Sequence, residues 1–540
     1  MISCPNCGGN VKFDISAQQL ACEYCHQLFD PYAFDNKTSD AEEVKSFESD
    51  YEVTVFTCPQ CGGEILSTDN AAAGFCSFCG ASTILYSRIS HEHRPDYIIP
   101  FKKSKDDCKQ AYADMMKRAI FAPKELKDPK AIDSFRGIYM PYWAFYITQK
   151  GPVKFYGEKS YRRGNYVYTD HYQLTGDIDA YYKGLSYDAS SSFADNISES
   201  LAPYDLKGMK AFTPGYLSGF YADTSDVDAS VYQQDAEDTA TAQSVAKLYT
   251  VPAFKSIPPK ITSGSNLLHT KTEGIDSAML PVWFMSYRKN NRVAYATVNG
   301  QTGKVVADIP IDPKKYALGS LLLAIPIFFV LAAFFTLLPT KLLTMSAMLA
   351  VITTIICTVE LNSIVKKDTL LDDRGRLSKG SPELLAQAEQ MRKVKRKYSV
   401  PRKGKASNPA NLISTIIICV VMFSIIQSLG IGLSQIAAFS LIPWIVLLIA
   451  AAVTIGLGIQ KTGKLTDRPG IAGYIVVGIT MVISFLIALL HPVSDTYYYI
   501  GSILSLLAVT LSITDIIRYY NILSTRKLPQ FDKQGGDDRA

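Results

Sequence analysis

Charge is missing from several long stretches of this 540-residue chain, and the gaps define its architecture. No charged residue interrupts Tyr316 to Leu338, a run of 23 residues that, at about 1.5 Å rise each, can cross a hydrocarbon core of about 30 Å. Leu342 to about Val365 predicts a second pass after the turn Pro339-Thr340-Lys341. Leu412 to Gln460 is uncharged throughout and too long for one helix, so it divides at Gly430-Ile431-Gly432 into two passes. Ile471 to Leu490 and Tyr497 to Ile517 complete an expected six-helix α-helical transmembrane domain over 316–520.

Positive charge is nearly absent from alternate loops, where only Lys341 stands, and is concentrated in the others. Loop 366–411 carries thirteen Lys and Arg residues, and Lys461, Lys464 and Arg468 follow the fourth pass. The positive-inside rule therefore predicts a cell-membrane protein whose N-terminal region, loop 366–411 and tail 521–540 are cytosolic. The lack of an early apolar run after Met1 agrees with that orientation.

Of the 11 cysteines, eight form an ordered array: Cys4-Pro-Asn-Cys7 with Cys22-Glu-Tyr-Cys25, then Cys58-Pro-Gln-Cys61 with Cys76-Ser-Phe-Cys79. Fourteen residues separate the pairs in each half, and both halves open with Cys-Pro-x-Cys-Gly-Gly, so the region is an internal duplication. Two residues between cysteines let one turn present two thiolates to one ion, and two such knuckles complete a tetrahedral site. In a reducing cytosol the array implies metal ligation, not disulfides. Two structural Zn2+ ions are expected, one held by Cys4, Cys7, Cys22 and Cys25 and one by Cys58, Cys61, Cys76 and Cys79; iron is the competitor for the same ligands. His26 has the character of a turn residue and not of a fifth ligand. Cys108 is expected to be a core thiol.

Two small ribbons, 1–30 and 55–90, are thus expected around an acidic linker, 31–54. Residues 1–90 hold twelve acidic side chains against Lys12, Lys37, Lys45 and Arg88, about −8 before any metal is counted. Each Cys4 zinc centre adds about −2, so repulsion disfavours a nucleic-acid partner. A protein partner is the expected one.

Residues 95–312 predict an α+β domain with antiparallel strands. Met140-Pro141-Tyr142-Trp143 recurs as Leu280-Pro281-Val282-Trp283, which points to two related halves. Val153 to Tyr156 is expected as a second strand after a polar turn, and Tyr166 to Leu174 as another. Ser104 with Asp107 predicts a capping box opening a helix; Ser192 to Leu201 and Asp226 to Leu248 are further helical candidates. No residue set here has catalytic spacing: His171 beside Asp170, the Asp188 to Ser192 run and His91-Glu92-His93 all suit solvated loops or linker. Gly458 to Lys464 imitates a phosphate loop but has Leu465 where Ser or Thr would hold magnesium. The expectation is no enzyme, no catalytic residues and no small-molecule cofactor.

With the ribbon pair, the segments Tyr97-Ile98-Ile99-Pro100-Phe101, Tyr139 to Trp143 and Val298-Asn299-Gly300-Gln301-Thr302-Gly303 resemble a bacterial family of multipass membrane proteins with transcription-factor-IIB-type zinc ribbons. Some members carry a replication-restart helicase label. The resemblance covers residues 1 to about 312 and implies no particular activity; the helicase label fails here because no phosphate loop or motor domain is present.

The leading expectation is a zinc-binding multipass protein whose cytosolic head binds a protein partner or senses a ligand. The alternative is a transporter or channel component with a regulatory head, supported by Pro326 and Pro443 as kinks and by Glu360 and Asp515 near the helix ends. A basic helix over 381–398, opened by Ser381-Pro382-Glu383, is expected to meet anionic lipid.

Overall fold

The computed structural model describes residues 3–34, 50–67, 76–80, 86–164, 166–190, 192–193, 195–248, 250–252, 257, 259–260, 268–289, 292–334, 338–370, 437–463 and 471–527. A small antiparallel sheet, a large and mainly antiparallel one, and a set of long apolar helices account for most of them.

The first sheet is β1 (Val11–Asp14), β2 (Gln19–Cys22) and β3 (Leu28–Phe29). The second has 13 strands and is organised around β8 (Arg136–Arg163) and β13 (Thr270–Lys289). These two carry the duplicated Pro-x-Trp segments, and they pair antiparallel with Met140 opposite Leu280 and Tyr139 opposite Pro281. Of the equivalent residues only Met140 and Leu280 lie directly opposite each other; the register is symmetric about that pair, with Pro141 opposite Met279 and Pro281 opposite Tyr139. Each tryptophan satisfies its indole on a backbone carbonyl, Trp143 on Val227 at 2.8 Å and Trp283 on Lys103 at 2.9 Å. Around them lie α1 (Lys105–Arg118), α2 (Pro129–Ile132), α3 (Asp195–Leu201) and α4 (Ser230–Leu248). The Ser104–Asp107 capping box opens α1 as its sequence predicts. Helices α3 and α4 start three and four residues later than expected.

Several boundaries differ from the sequence expectation. Val153 to Tyr156 is not a separate strand: Gln149-Lys150-Gly151-Pro152 does not turn, and β8 runs through it. Its partner β9 (Tyr166–Asp188) extends well past Leu174, because the two strands support each other as one long hairpin. The expected linker 31–54 is ordered at both ends. Pro31–Phe34 is a 3-10 turn, and β4 (Asp50–Thr57) begins inside it. His91-Glu92-His93 ends a strand, β6 (Tyr86–His93), which pairs with β4. The 55–90 region is no free-standing ribbon: β5 (Glu64–Ser67) joins β8 through the short β11 (Tyr221–Ala222), so the region is an extension of the large sheet.

Five helices among the described residues are long and apolar enough to cross a membrane, against the six expected. They are α5 (Pro313–Phe334), α6 (Pro339–Leu370), α7 (Ala437–Thr462), α8 (Ala472–Leu490) and α9 (Asp495–Leu523). The expected pass within 412–430, most of loop 366–411 and its helix 381–398 lie outside the described residues. Helices α6 to α9 share one core, with Leu343, Val351, Trp444, Val477, Met481, Tyr498 and Ala508 buried in it. Small hydroxylated residues line that interior: Thr354, Thr358, Ser484 and Ser505 are fully buried. Thr354, Thr358 and Ser505 bond a carbonyl one turn back, to Ala350, Thr354 and Gly501, which lets helices approach closely with those hydroxyls satisfied, whereas the buried Ser484 hydroxyl has no partner among the described residues.

The tail expected at 521–540 begins as structure. Helix α9 continues to Leu523, and β16 (Arg526–Lys527) pairs antiparallel with β14 (Arg292–Asn299) in the head. Arg292 donates to Thr525 Oγ1 at 2.7 Å and to the carbonyls of Ile522 and Thr525 at 2.8 and 2.6 Å, capping the helix C-terminus with a cation. Asn521 and the Ile311 backbone exchange two further hydrogen bonds, of 2.7 and 2.8 Å.

Candidate metal centres

Each knuckle is built by local backbone chemistry. The N–H of Gly8 bonds the Cys4 carbonyl at 2.8 Å and the N–H of Cys4 bonds the Gly9 carbonyl at 2.8 Å; Gly62 and Gly63 repeat this around Cys58 at 2.8 and 2.9 Å. The residue after the second cysteine takes a left-handed conformation in all four knuckles, with φ of 71° at Gly8, 57° at His26, 72° at Gly62 and 69° at Gly80. Glycine adopts that region at no steric cost, which explains three of the four. His26 occupies the same turn position in the remaining one.

The structure brings the eight cysteines into two groups of four, divided by sequence order, with the sulfurs of each group within 4.8 Å of one another. The closest approaches are Cys4 to Cys25 at 3.6 Å, Cys7 to Cys22 at 3.4 Å, Cys58 to Cys79 at 3.8 Å and Cys61 to Cys76 at 3.7 Å. A disulfide needs about 2.05 Å, so none is formed. Four thiolates about 2.3 Å from a central ion lie about 3.8 Å apart by tetrahedral geometry, which these spacings fit. Among the described residues no other group of three or more His, Cys, Asp and Glu side chains converges in this way.

Electrostatics favour a cation in both groups. Backbone amides of the second knuckle, first that of Cys25 and then that of Tyr24, hold the Cys22 thiol down at about 6. In the second group, hydrogen bonds from Cys61, Cys76 and Cys79 push the Cys58 thiol far down, and Cys58 in turn drives Cys61 and Cys76 far up. Four thiols this close cannot all ionise unaided. A divalent ion bound there would supply the charge that lets them.

The two centres differ in burial. In the first, Cys4 and Cys22 are buried while Cys7 and Cys25 are exposed; in the second all four are buried. The first sits on the head through its sheet: Phe13 packs edge-on against Tyr216 at 5.2 Å, Ser218 donates to the Val11 carbonyl at 2.5 Å, and Tyr32 donates to the Ala211 carbonyl at 2.8 Å. A side chain on Gly215 would strike the Pro31 carbonyl, so the close approach there requires glycine. The second is enclosed by Phe56, Ile65 and Phe78, and Phe78 meets Phe284 of β13 at 6.2 Å. Arg288 ties the same strand to Gln60 at 2.9 Å. The docking residues Gly215, Tyr216, Ser218 and Arg288 carry no motif. Outside the centres, Cys108 is fully buried and its thiol is pushed up to about 12 by that burial; Cys357 is also buried, and Cys419 lies outside the described residues.

No protein-family model matches the chain, and no solved structure matches it. The chain is similar to a protein of Bacillus subtilis (strain 168) described as Uncharacterized protein YdjG, with 29% identity over 320 residues, 58% of this chain and 91% of that relative. The chain therefore carries two Cys4 clusters that fit zinc ribbons, a sheet-rich head, membrane-type helices and a distant relative whose description names no activity.

Proposed function

We propose that the protein is a non-enzymatic membrane adaptor that holds two structural zinc ions and displays a partner-binding arm from its head. The observation that carries this is the β8–β9 hairpin. Strand β13 ends at the junction with α9, and β8 runs antiparallel to it, so the hairpin leads away from the membrane helices for on the order of 70 Å of paired strand. Around the turn both faces are exposed from Lys159 to Arg163 and from Tyr166 to Asp170. A two-stranded ribbon without a covering layer gains little stability by itself. Tyr161 and Tyr168 stack at 5.6 Å on one face, which also carries Tyr166, Arg163 and Lys159. Exposed tyrosine and arginine are residue types that anchor protein interfaces. The ribbons, packed into the head, serve to build it.

The zinc assignment rests on the tetrahedral sulfur spacing and the absence of a fifth ligand among the described residues. Six crossings are favoured by parity. The chain enters the membrane block at α5, directly after the head, and leaves it at β16, which pairs with the head. Entry and exit on one face require an even number of crossings. The described residues supply five, and the sequence of the uncharged 412–430 segment has the length and composition for a sixth. Loop 366–411 then falls on the head's side, and its positive charge makes that side cytosolic. A transporter is the weaker reading: the hydroxyls inside the bundle are mostly bonded to their own helices, and the groove between α6 and α9 is lined by apolar residues such as Leu342, Leu349 and Ile503.

The test is affinity capture from membranes in mild detergent, with the wild-type chain and the triple variant Tyr161→Ser, Tyr166→Ser, Tyr168→Ser. One soluble protein retained by the wild type and lost by the variant, at unchanged zinc content, supports the adaptor. Retention by the variant moves the interface elsewhere. Solute flux in reconstituted vesicles would promote the transporter reading.

A further inference from the structure

The loop between α1 and the 3-10 turn Lys124–Lys127 lies along the first turns of α5. Asp312 N–H bonds the Phe121 carbonyl at 2.8 Å, Lys315 Nζ bonds the Ala122 carbonyl at 2.5 Å, and the Phe121 ring meets Tyr316 at 5.1 Å. A Cβ on Gly319 would lie 3.0 Å from the Phe121 ring, so the loop reaches the level of Gly319. That level is about 6 Å further along the helix than Lys315, whose ammonium belongs among the headgroups. Ile120, the neighbour of Phe121, is 71% exposed among the described residues. Arg118 and Lys124 flank it in the chain and Lys314 precedes the Lys315 that bonds Ala122; all three are exposed as well.

We propose that residues 119–123 form a membrane-insertion loop, in which Ile120 enters the lipid interface beside α5 while Arg118, Lys124 and Lys314 contact anionic headgroups. The large apolar side chain at 120 is then buried in lipid, and the head is held against the bilayer at a second point beyond its covalent connection. Basic residues next to an anionic surface attract it by about fivefold each in binding equilibrium. This inference rests on Pro313–Val330 being a membrane span.

The test uses the full chain in nanodiscs of phosphatidylethanolamine and phosphatidylglycerol, with an environment-sensitive fluorescent amino acid replacing Ile120, Leu322 or Tyr166 in separate preparations. Leu322 lies within the span and Tyr166 at the hairpin turn. The expected result is blue-shifted emission at 120, quenched by lipids with a nitroxide near the headgroup, and water-like emission at 166. Lipid quenching at 322 with water-like, iodide-quenched emission at 120 would overturn the loop and leave the span standing. Water-like emission at both 120 and 322 would overturn the span itself. The pair Arg118→Glu and Lys124→Glu should weaken lipid quenching at 120 in anionic discs; undiminished quenching would overturn the headgroup contact.

Discussion

The unequal burial of the two cysteine clusters makes a quantitative prediction about metal release. An added chelator attacks the ion directly where ligands are exposed, and Cys7 and Cys25 leave the first centre open on one side. The second centre must first open. Opening it exposes Phe56, Ile65 and Phe78, which are 2%, 1% and 1% accessible in the folded chain. At about 1.5–3 kcal/mol for each fully buried side chain the cost is roughly 4–9 kcal/mol, an upper estimate because the opened state stays partly compact. With about 1.4 kcal/mol per tenfold, the low end of that range makes release from the second centre slower by on the order of a thousandfold. Purified chain mixed with an excess of chromogenic chelator should show two phases of equal amplitude, one equivalent of zinc each. Cys7→Ser should abolish the fast phase and Cys58→Ser the slow one, with total zinc falling from about two to about one in either. A single rate for both equivalents, or loss of both ions from one substitution, would refute the reasoning from burial and the division of ligands by sequence order.

Other outcomes are expected from individual contacts. Gly215→Ala drives a methyl group into the Pro31 carbonyl and should lower stability by about 1–3 kcal/mol, seen as a lower Tm and faster proteolysis of the first ribbon. Arg292→Ala removes three charge-assisted bonds to the end of α9 and should cost about 1.5–3 kcal/mol or more, with Arg292→Lys a poor rescue because the planar fork is lost; cleavage near residue 526 by added protease reports it. Cys108, buried and with its thiol held up to about 12, should resist alkylation at neutral pH in the folded chain and react once it is denatured. Reporter fusions within 366–411 and after Ala540 should behave as cytosolic and one at His491 as external; an external result for the loop would overturn the orientation.

What the sequence determined by itself is what local spacing encodes. Cys-x-x-Cys pairs fourteen residues apart name their ligand sets because a tight turn fixes two sulfurs at once, and uncharged runs of about twenty residues declare membrane helices because length and hydropathy suffice. The Ser104–Asp107 cap was legible for the same reason: its partners lie three residues apart. The tertiary structure decided everything that depends on pairing across distance. The polar Gln149 to Pro152 stretch has the composition of a turn, yet the chain passes through it, because β9 and β13 supply partners on both edges of β8, with Gln149 opposite both Ala180 and Thr270. The second ribbon has the composition of a separate module, yet Tyr221 and Ala222 stitch it into the large sheet more than 150 residues away in the chain. Arg526 follows the last helix like a solvated tail residue, yet it pairs with Val293 and returns the chain to the head. Alternation and charge show which face of a strand is buried but not which strand lies beside it, and that choice is made only when the whole sheet closes its hydrogen bonds.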